Sequence, residues 1–406
     1  MFDRSESTMT DRNRTEPRLR HDVIVVGAGV IGLSIAWSAA GGGLSVCVLE
    51  RSEPGSGASG VAAGMLAPVG EASFGEEALL ELNLSSHAMW PAFSESLQSE
   101  TGLDTGYLPL GALHVAFDSD EEAEMRRKGD LHRRSGLDSR WLGPDECREL
   151  EPGLAPALVG GLFVAGDAAA DPRQLVTALK AGVELRGGDL LAGIEPVESR
   201  FDDSGVSLTL SDGRVLESER LVLACGAMSG AVAEWLPEHL RAEVRPVKGQ
   251  ILELVAEPPD SHQVAERIVC GERFYAVPRK DGSLALGATV EEKGFDLAIT
   301  AGAVHELLRE GYRALPDLAE MQFVSARAGL RPATPDNAPL IGPSPDQASL
   351  LYATGHFRNG VLLAPVTAKI VTALLAGDQP GVELDLDPFR PGRFASRTGS
   401  RQGVVG

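Results

Sequence analysis

Residues 21–50 read HDVIVVGAGVIGLSIAWSAAGGGLSVCVLE. Val23–Val26 is a short, apolar, β-branched run, which predicts a buried strand. Gly27-Ala28-Gly29-Val30-Ile31-Gly32 follows at once, and Leu33 to Ala40 has the composition of a helix that stops at Gly41-Gly42-Gly43. Val46–Leu49 predicts a second buried strand, ending at Glu50, 18 positions after Gly32. A lone Gly-x-Gly-x-x-Gly says little, but strand, glycine turn, helix, strand and terminal acid together are the context in which it binds a dinucleotide. Gly27 allows the tight turn, Gly29 lets the backbone approach a pyrophosphate, and Gly32 lets helix and strand pack closely. The helix N-terminus offers free N–H groups to that pyrophosphate, and Glu50 is placed to accept hydrogen bonds from a ribose diol.

Working outward, Ala58–Pro68 (ASGVAAGMLAP) is a run of small residues with almost no bulky side chain before Met65. Such a backbone can lie flat along an extended cofactor. Helices are predicted over Leu79 to about Gln98, over Glu121–Leu131 as a charged, exposed element, and over Pro172–Leu185 with Asp171 as N-cap. Val206–Leu210 and Val215–Leu216 flank Ser211-Asp212-Gly213 as a hairpin, and Arg220–Cys225 is an apolar strand. From Val244 onward strands dominate: Gln250–Val255, Phe274–Val277, Leu284–Ala288 and Phe323–Arg331 predict an antiparallel sheet. Leu351–Thr354 leads into a second glycine turn, Gly355-His356-Phe357-Arg358-Asn359-Gly360, and then an apolar helix to about Leu375. One nucleotide turn near the start and another glycine turn near the end imply an α/β (α+β) fold: a Rossmann-like domain interleaved with a second domain built on an antiparallel sheet.

Composition narrows the function. A net charge of −21 and a pI near 4.8 exclude a phosphate-backbone partner and disfavour an anionic membrane surface. The four cysteines, Cys47, Cys147, Cys225 and Cys270, form no CxxC pair and suit neither a zinc site nor a disulfide framework, which fits a reducing, cytoplasmic setting. No stretch has the ~18 uninterrupted apolar residues of a membrane span. Residues 1–20 and 391–406 read as disordered tails.

Five segments, taken in order, resemble the D-amino-acid oxidase and sarcosine oxidase superfamily of flavoproteins. They are the 21–50 unit, Ala58–Pro68, Asp167–Leu175 (DAAADPRQL), Leu221–Gly230 (LVLACGAMSG) and Gly329–Pro365. The His-Phe-Arg-Asn-Gly turn within the last looks most like the glycine oxidase branch. The resemblance implies a cofactor, FAD, contacting Gly27, Gly29, Val30, Ile31, Gly32, Glu50, Arg51, Ser59, Ala63, Gly64 and Met65, with Val197 touching the adenosine through its backbone. It implies that Phe357, Arg358, Asn359, Gly360, Val361, Leu362 and Leu363 wrap the flavin ring. No cysteine stands near Gly329-Leu330, where tethering members carry one, so FAD is expected to be non-covalent. Met228 and Arg327 depart from the family, which usually has an aromatic residue and a tryptophan there. The FAD-binding domain is expected over 21–80, 150–235 and 325–388, and the substrate domain over 81–149 and 236–324.

The expected chemistry is oxidative deamination of a small amino acid, with glycine first and sarcosine or D-alanine after it. The partners implied are O2 as oxidant, with release of hydrogen peroxide, a homotetramer, and a place in thiamine biosynthesis. Sarcosine or D-amino-acid oxidases, and dehydrogenases that use another electron acceptor, remain alternative readings. The substrate carboxylate needs a planar cation, and Arg331 is the leading candidate, with Tyr275 donating its hydroxyl and Arg358 assisting. Strand alternation predicts that Arg273 points the same way as Tyr275, toward the cavity entrance. No catalytic acid or base and no metal is expected; His356 reads as a structural histidine of the turn.

Overall fold

The computed structural model describes residues 19–256 and 264–394. The opening segment forms Arg20–Val26 (β1), Val30–Gly41 (α1) and Val46–Glu50 (β2). β1 is the centre of a sheet ordered Leu340–Pro343 (β17), Leu350–Thr354 (β18), Val215–Leu223 (β11), β1, β2, Asp189–Ala192 (β8). The neighbours from β18 to β8 are all parallel, while β17 and the hairpin Pro196–Asp202 (β9) and Gly205–Leu210 (β10) are antiparallel additions. Parallel strands are buried on both faces, which explains the unbroken apolar runs read from sequence. On one face lie α1, Glu77–Thr101 (α3), Pro172–Leu185 (α6) and Ala364–Ala376 (α8). The hairpin and the Leu236–Val244 segment cover the other face. α1 is apolar on all sides because sheet, α6 and α8 enclose it.

The second sheet is ordered Gln322–Ala333 (β16), Arg245–Val255 (β12), Ser283–Gly287 (β15), Tyr275–Pro278 (β14), Ile268–Cys270 (β13), Ala112–Ala116 (β4), Gly160–Val164 (β6), Arg140–Leu142 (β5). It is antiparallel except where β13 meets β4 in parallel. Ser119–Arg134 (α4), Pro144–Leu150 (α5) and Ala301–Ala314 (α7) accompany it. α7 goes beyond the elements expected from sequence; its first turn is capped by the Thr300 side chain. β6 and the Ser325–Ala333 part of β16 pair inside this sheet, although 150–235 and 325–388 are expected in the first domain. A short ladder of Met65–Leu66 (β3) and Ala168–Ala169 (β7), preceded by the one-turn helix Ala58–Val61 (α2), lies between the sheets.

One buried contact fixes the two units to each other. Asp171 caps α6 by accepting from the amides of Arg173 and Gln174, and its other oxygen pairs with Arg279 at 3.0 Å. Arg279 also donates to the Ala63 carbonyl, tying the small-residue segment to the second sheet. The expected tails fall mostly outside the described residues, with two exceptions. Arg20 starts β1, and Phe394 is buried against the hairpin face while Arg393 pairs with Asp336, so the chain stays packed past residue 391. Among the described residues no helix is long and apolar enough to cross a membrane, and no acid, histidine and cysteine cluster can hold a metal ion.

Candidate active site

A cavity of about 610 Å3 runs along the C-terminal ends of β1 and β2, past α2, to the face of the second sheet. In α/β sheets ligands bind at this edge. At its first end Gly27 has φ +110°, and a Cβ there would stand 2.4 Å from the Ala224 carbonyl oxygen. A Cβ on Gly32 would stand 1.9 Å from the Gly27 carbonyl oxygen, so α1 seats on the turn only with glycine. Gly29 is the N-cap of α1 and lines the cavity without any capping side chain of its own. Ser59 supplies one from α2: its Oγ accepts the Val30 amide at 3.0 Å. Glu50 lines the cavity and braces the turn, accepting from the amides of Ala28 at 2.9 Å and Ser52 at 3.0 Å. Ile31, Arg51, Ala63, Gly64 and Met65 also line the wall. Gly32 and Val197 do not; Val197 is half exposed on β9, and its neighbour Pro196 takes the lining position.

At the far end, the turn before α8 closes the wall with Phe357, Arg358, Gly360 and Val361. Phe357 holds a positive φ of 48°, fixed by its amide donating to Pro332 at 2.8 Å. Asn359 and Leu363 stand behind the wall, their amides spent on His356 and Asn359 carbonyls. Within the described residues no acceptor takes the amides of Gly360 and Val361. The Leu362 carbonyl is held from behind by Ser86 Oγ at 2.6 Å and Trp90 Nε1 at 2.9 Å. His356 is buried and bonded to Thr367, and burial pushes its imidazole down to about 3. It is therefore neutral and holds the turn.

Arg331 and Tyr275 face the cavity from β16 and β14. Arg331 donates to the Thr289 carbonyl at 3.0 Å, and among the described residues it has no carboxylate partner. Burial pushes the Tyr275 hydroxyl up, and the neighbouring Arg331 charge counters this. Two glycines make room for the pair. A Cβ on Gly249 would stand 2.4 Å from Arg331 Nη1, and one on Gly287 would stand 2.7 Å from the Tyr275 hydroxyl. Gly329, opposite Gly249, leaves the space that Val61 of α2 fills.

Two sequence expectations change here. Arg273 does not reach the cavity: Gly271–Phe274 is a turn closed by Gly271 N–H to Phe274 O at 2.9 Å, so alternation starts only at Tyr275. Arg273 is exposed and pairs with Glu272 and Glu306. Arg358 does line the cavity, but Glu71 at 3.5 Å and Glu76 at 3.3 Å already neutralise it. Arg327, the departure from the family, pairs with Glu253, which also holds Arg173. Met228 lines the cavity wall. The sequence reading missed Glu71 as a lining residue and Lys248 as a clamp. Fully buried Lys248 donates to Asp296 Oδ2 at 2.8 Å and to the Ala298 carbonyl, pinning the loop that carries Val290 and Leu297 over the cavity. A lysine inside the apolar strand reading PVKGQIL was the available signal.

The residues fit a dinucleotide with an aromatic head: glycine turn and acid at one end, free amides and a cation at the other. Residues 22–374 match the family described as FAD dependent oxidoreductase, of the D-amino-acid oxidase type. The chain belongs to this family. This FAD-dependent amino-acid oxidase is 33% identical over 381 residues to the glycine oxidase of Geobacillus kaustophilus, covering 94% of this chain and 99% of that one. The crystal structure of glycine oxidase from that organism superposes with a TM-score of 0.86 at 34% identity, covering 93% and 99% of the two chains. The bifunctional protein ThiO/ThiG of Trichormus variabilis is 35% identical over 373 residues, covering 91% of this chain and 54% of that protein.

Proposed function

We propose that this oxidase deaminates glycine and similarly small amines with O2. The balanced reaction takes glycine, O2 and water to glyoxylate, ammonia and hydrogen peroxide. The observation that carries the reading is Arg331 beside Tyr275: a half-buried cation lining the cavity with no acid partner among the described residues. Its fork suits a carboxylate, with the Tyr275 hydroxyl as a further donor. Bound FAD supplies the electron sink for the α-carbon. The chain's own part is to hold the carboxylate, so that the α-carbon is fixed relative to the wall, and to keep water out. The Gly360 and Val361 amides offer fixed donors where negative charge develops. Neutral His356 takes no proton, and no other acid–base group is assigned to the step.

The glycine-oxidase relatives support glycine as substrate, and the joined ThiO/ThiG proteins support a place in thiazole formation for thiamine. A homotetramer in the cytoplasm is the accompanying expectation, read by light scattering of the purified protein. The deciding experiment is a peroxide assay of the yellow protein with glycine, sarcosine and D-alanine. Flavin reduction by glycine without peroxide would assign a dehydrogenase with another acceptor. No flavin reduction by any of the three would end the reading.

A further inference from the structure

Around Arg358, at the substrate end of the cavity, two acids meet one cation. Arg358 projects from the turn before α8, and Glu71 and Glu76 reach it from the connection between β3 and α3. Arg358 also donates to the Glu71 carbonyl at 3.4 Å. The position of Glu71 is built in. The Gly70 amide donates to buried Asp167 at 3.0 Å, and a Cβ on Gly70 would stand 2.4 Å from Asp167 Oδ2 and 2.6 Å from His114 Nε2. The turn therefore seats on that polar pair only with glycine, which aims Glu71 at the cavity. Glu71 lies within electrostatic range of Tyr275, hence of the carboxylate clamp. Lys128, behind the same turn, is within range of Glu71 and Arg358 but does not line the cavity.

We propose that Glu71 and Glu76 set the charge class of the substrate: they mask Arg358 and make this wall reject a second carboxylate. The inference rests on the reading of the site as one for amines bearing a carboxylate. With one carboxylate on Arg331, a second would meet two acids around a single cation. Like charges brought together in a desolvated site are a penalty, not a missing attraction. Neutralising the acids releases Arg358, whose fork then suits the second carboxylate.

The test compares glycine with iminodiacetate, which is glycine carrying a second carboxymethyl group, in the FAD-loaded wild type, Glu76→Gln and Glu71→Gln/Glu76→Gln. The kcat/KM ratio of iminodiacetate to glycine is expected to rise stepwise, by roughly 10- to 100-fold in the double variant. A ratio within twofold of wild type in both variants, with normal flavin spectra, overturns the proposal. Dead-end ligands separate this from the oxidase reading itself. Acetate and diglycolate (a dicarboxylate without an amine) are titrated against the flavin absorbance band. Diglycolate should tighten relative to acetate in the same order, even where no substrate turns over. Where the double variant fails to fold, Glu76→Gln alone carries the test: Glu76 is outside the cavity lining. A folded Glu76→Gln with no gain for diglycolate over acetate overturns the proposal equally.

Discussion

Gly249→Ala tests the substrate end with a single methyl group. The added Cβ would stand 2.4 Å from Arg331 Nη1 and 2.6 Å from its Cζ, where ordinary contact begins near 3.4 Å. The guanidinium must retreat by about 1 Å, the only route open without moving β12 against β16. The clash falls on the tip of a flexible side chain, not on backbone, so the fold and bound FAD should survive. What fails is the alignment: the 3.0 Å bond from Nη1 to the Thr289 carbonyl breaks, and the fork no longer faces the substrate carboxylate. A misplacement of about 1 Å costs roughly 100-fold in rate, or about 2.7 kcal/mol of transition-state stabilisation. Steady-state kinetics with glycine should show the loss in kcat/KM, at unchanged flavin-to-protein ratio and unfolding midpoint. Acetate binding, read from the flavin spectrum, should weaken in parallel. A folded, yellow Gly249→Ala enzyme within threefold of wild-type kcat/KM would refute the assignment of Arg331 as the carboxylate clamp.

Further outcomes are expected elsewhere. Arg279→Ala strands buried Asp171, and breaking such a pair costs about 3–5 kcal/mol, to be read by chemical denaturation. Glu50→Ala removes the acceptor of the Ala28 and Ser52 amides together with the expected ribose contact, so FAD should be lost on dialysis; full retention argues against the contact. FAD should leave the protein on acid precipitation, since the cavity's cysteine, Cys225, sits beside Val26 at the glycine-turn end; a yellow pellet would show a tether. Burial pushes the Asp167 carboxyl up to about 7, helped by Glu71 and opposed by Lys128. The folded state thus holds a proton that the unfolded state has already lost, and stability falls as pH rises from about 4 to about 7. Asp167→Asn removes that slope, so its stability relative to wild type should be higher at pH 8 than at pH 5; an equal difference at both values counts against a raised Asp167.

What was legible in the sequence was local. The 21–50 unit reads correctly because Gly27 answers to its own φ and Gly32 to the Gly27 carbonyl in the preceding turn. Asp171 reads as a cap because its acceptors' partners are the next amides along the chain. Arg273 went wrong through a local detail as well: alternation was extended across a turn whose closing bond joins Gly271 and Phe274. α7 carried a visible signal in the Thr300 cap ahead of Val304, Leu307 and Leu308. The state of Arg358 had no signal, because the acids that pair with it lie 287 and 282 residues earlier. The parallel meeting of β4 with β13 is of the same kind, a register set by packing between distant segments.

The placement of β1 has a consequence for how the protein is made. One edge of β1 is covered early, by β2, which follows directly after α1. The other edge belongs to β11, where Ile24 meets Leu221, and β11 in turn waits for β18. At roughly 5–20 residues per second, a ribosome needs on the order of 10–40 s to deliver β11 after β1. Throughout that interval the nucleotide-binding unit emerges as a short ribbon with an unpaired apolar edge, the kind of surface that invites a wrong partner. The flavin end of the site, around Phe357–Val361, arrives later still. Assembly of the cofactor site is therefore an event of the finished chain, and its yield should respond to synthesis rate and chaperone supply more than to the stability of the completed fold.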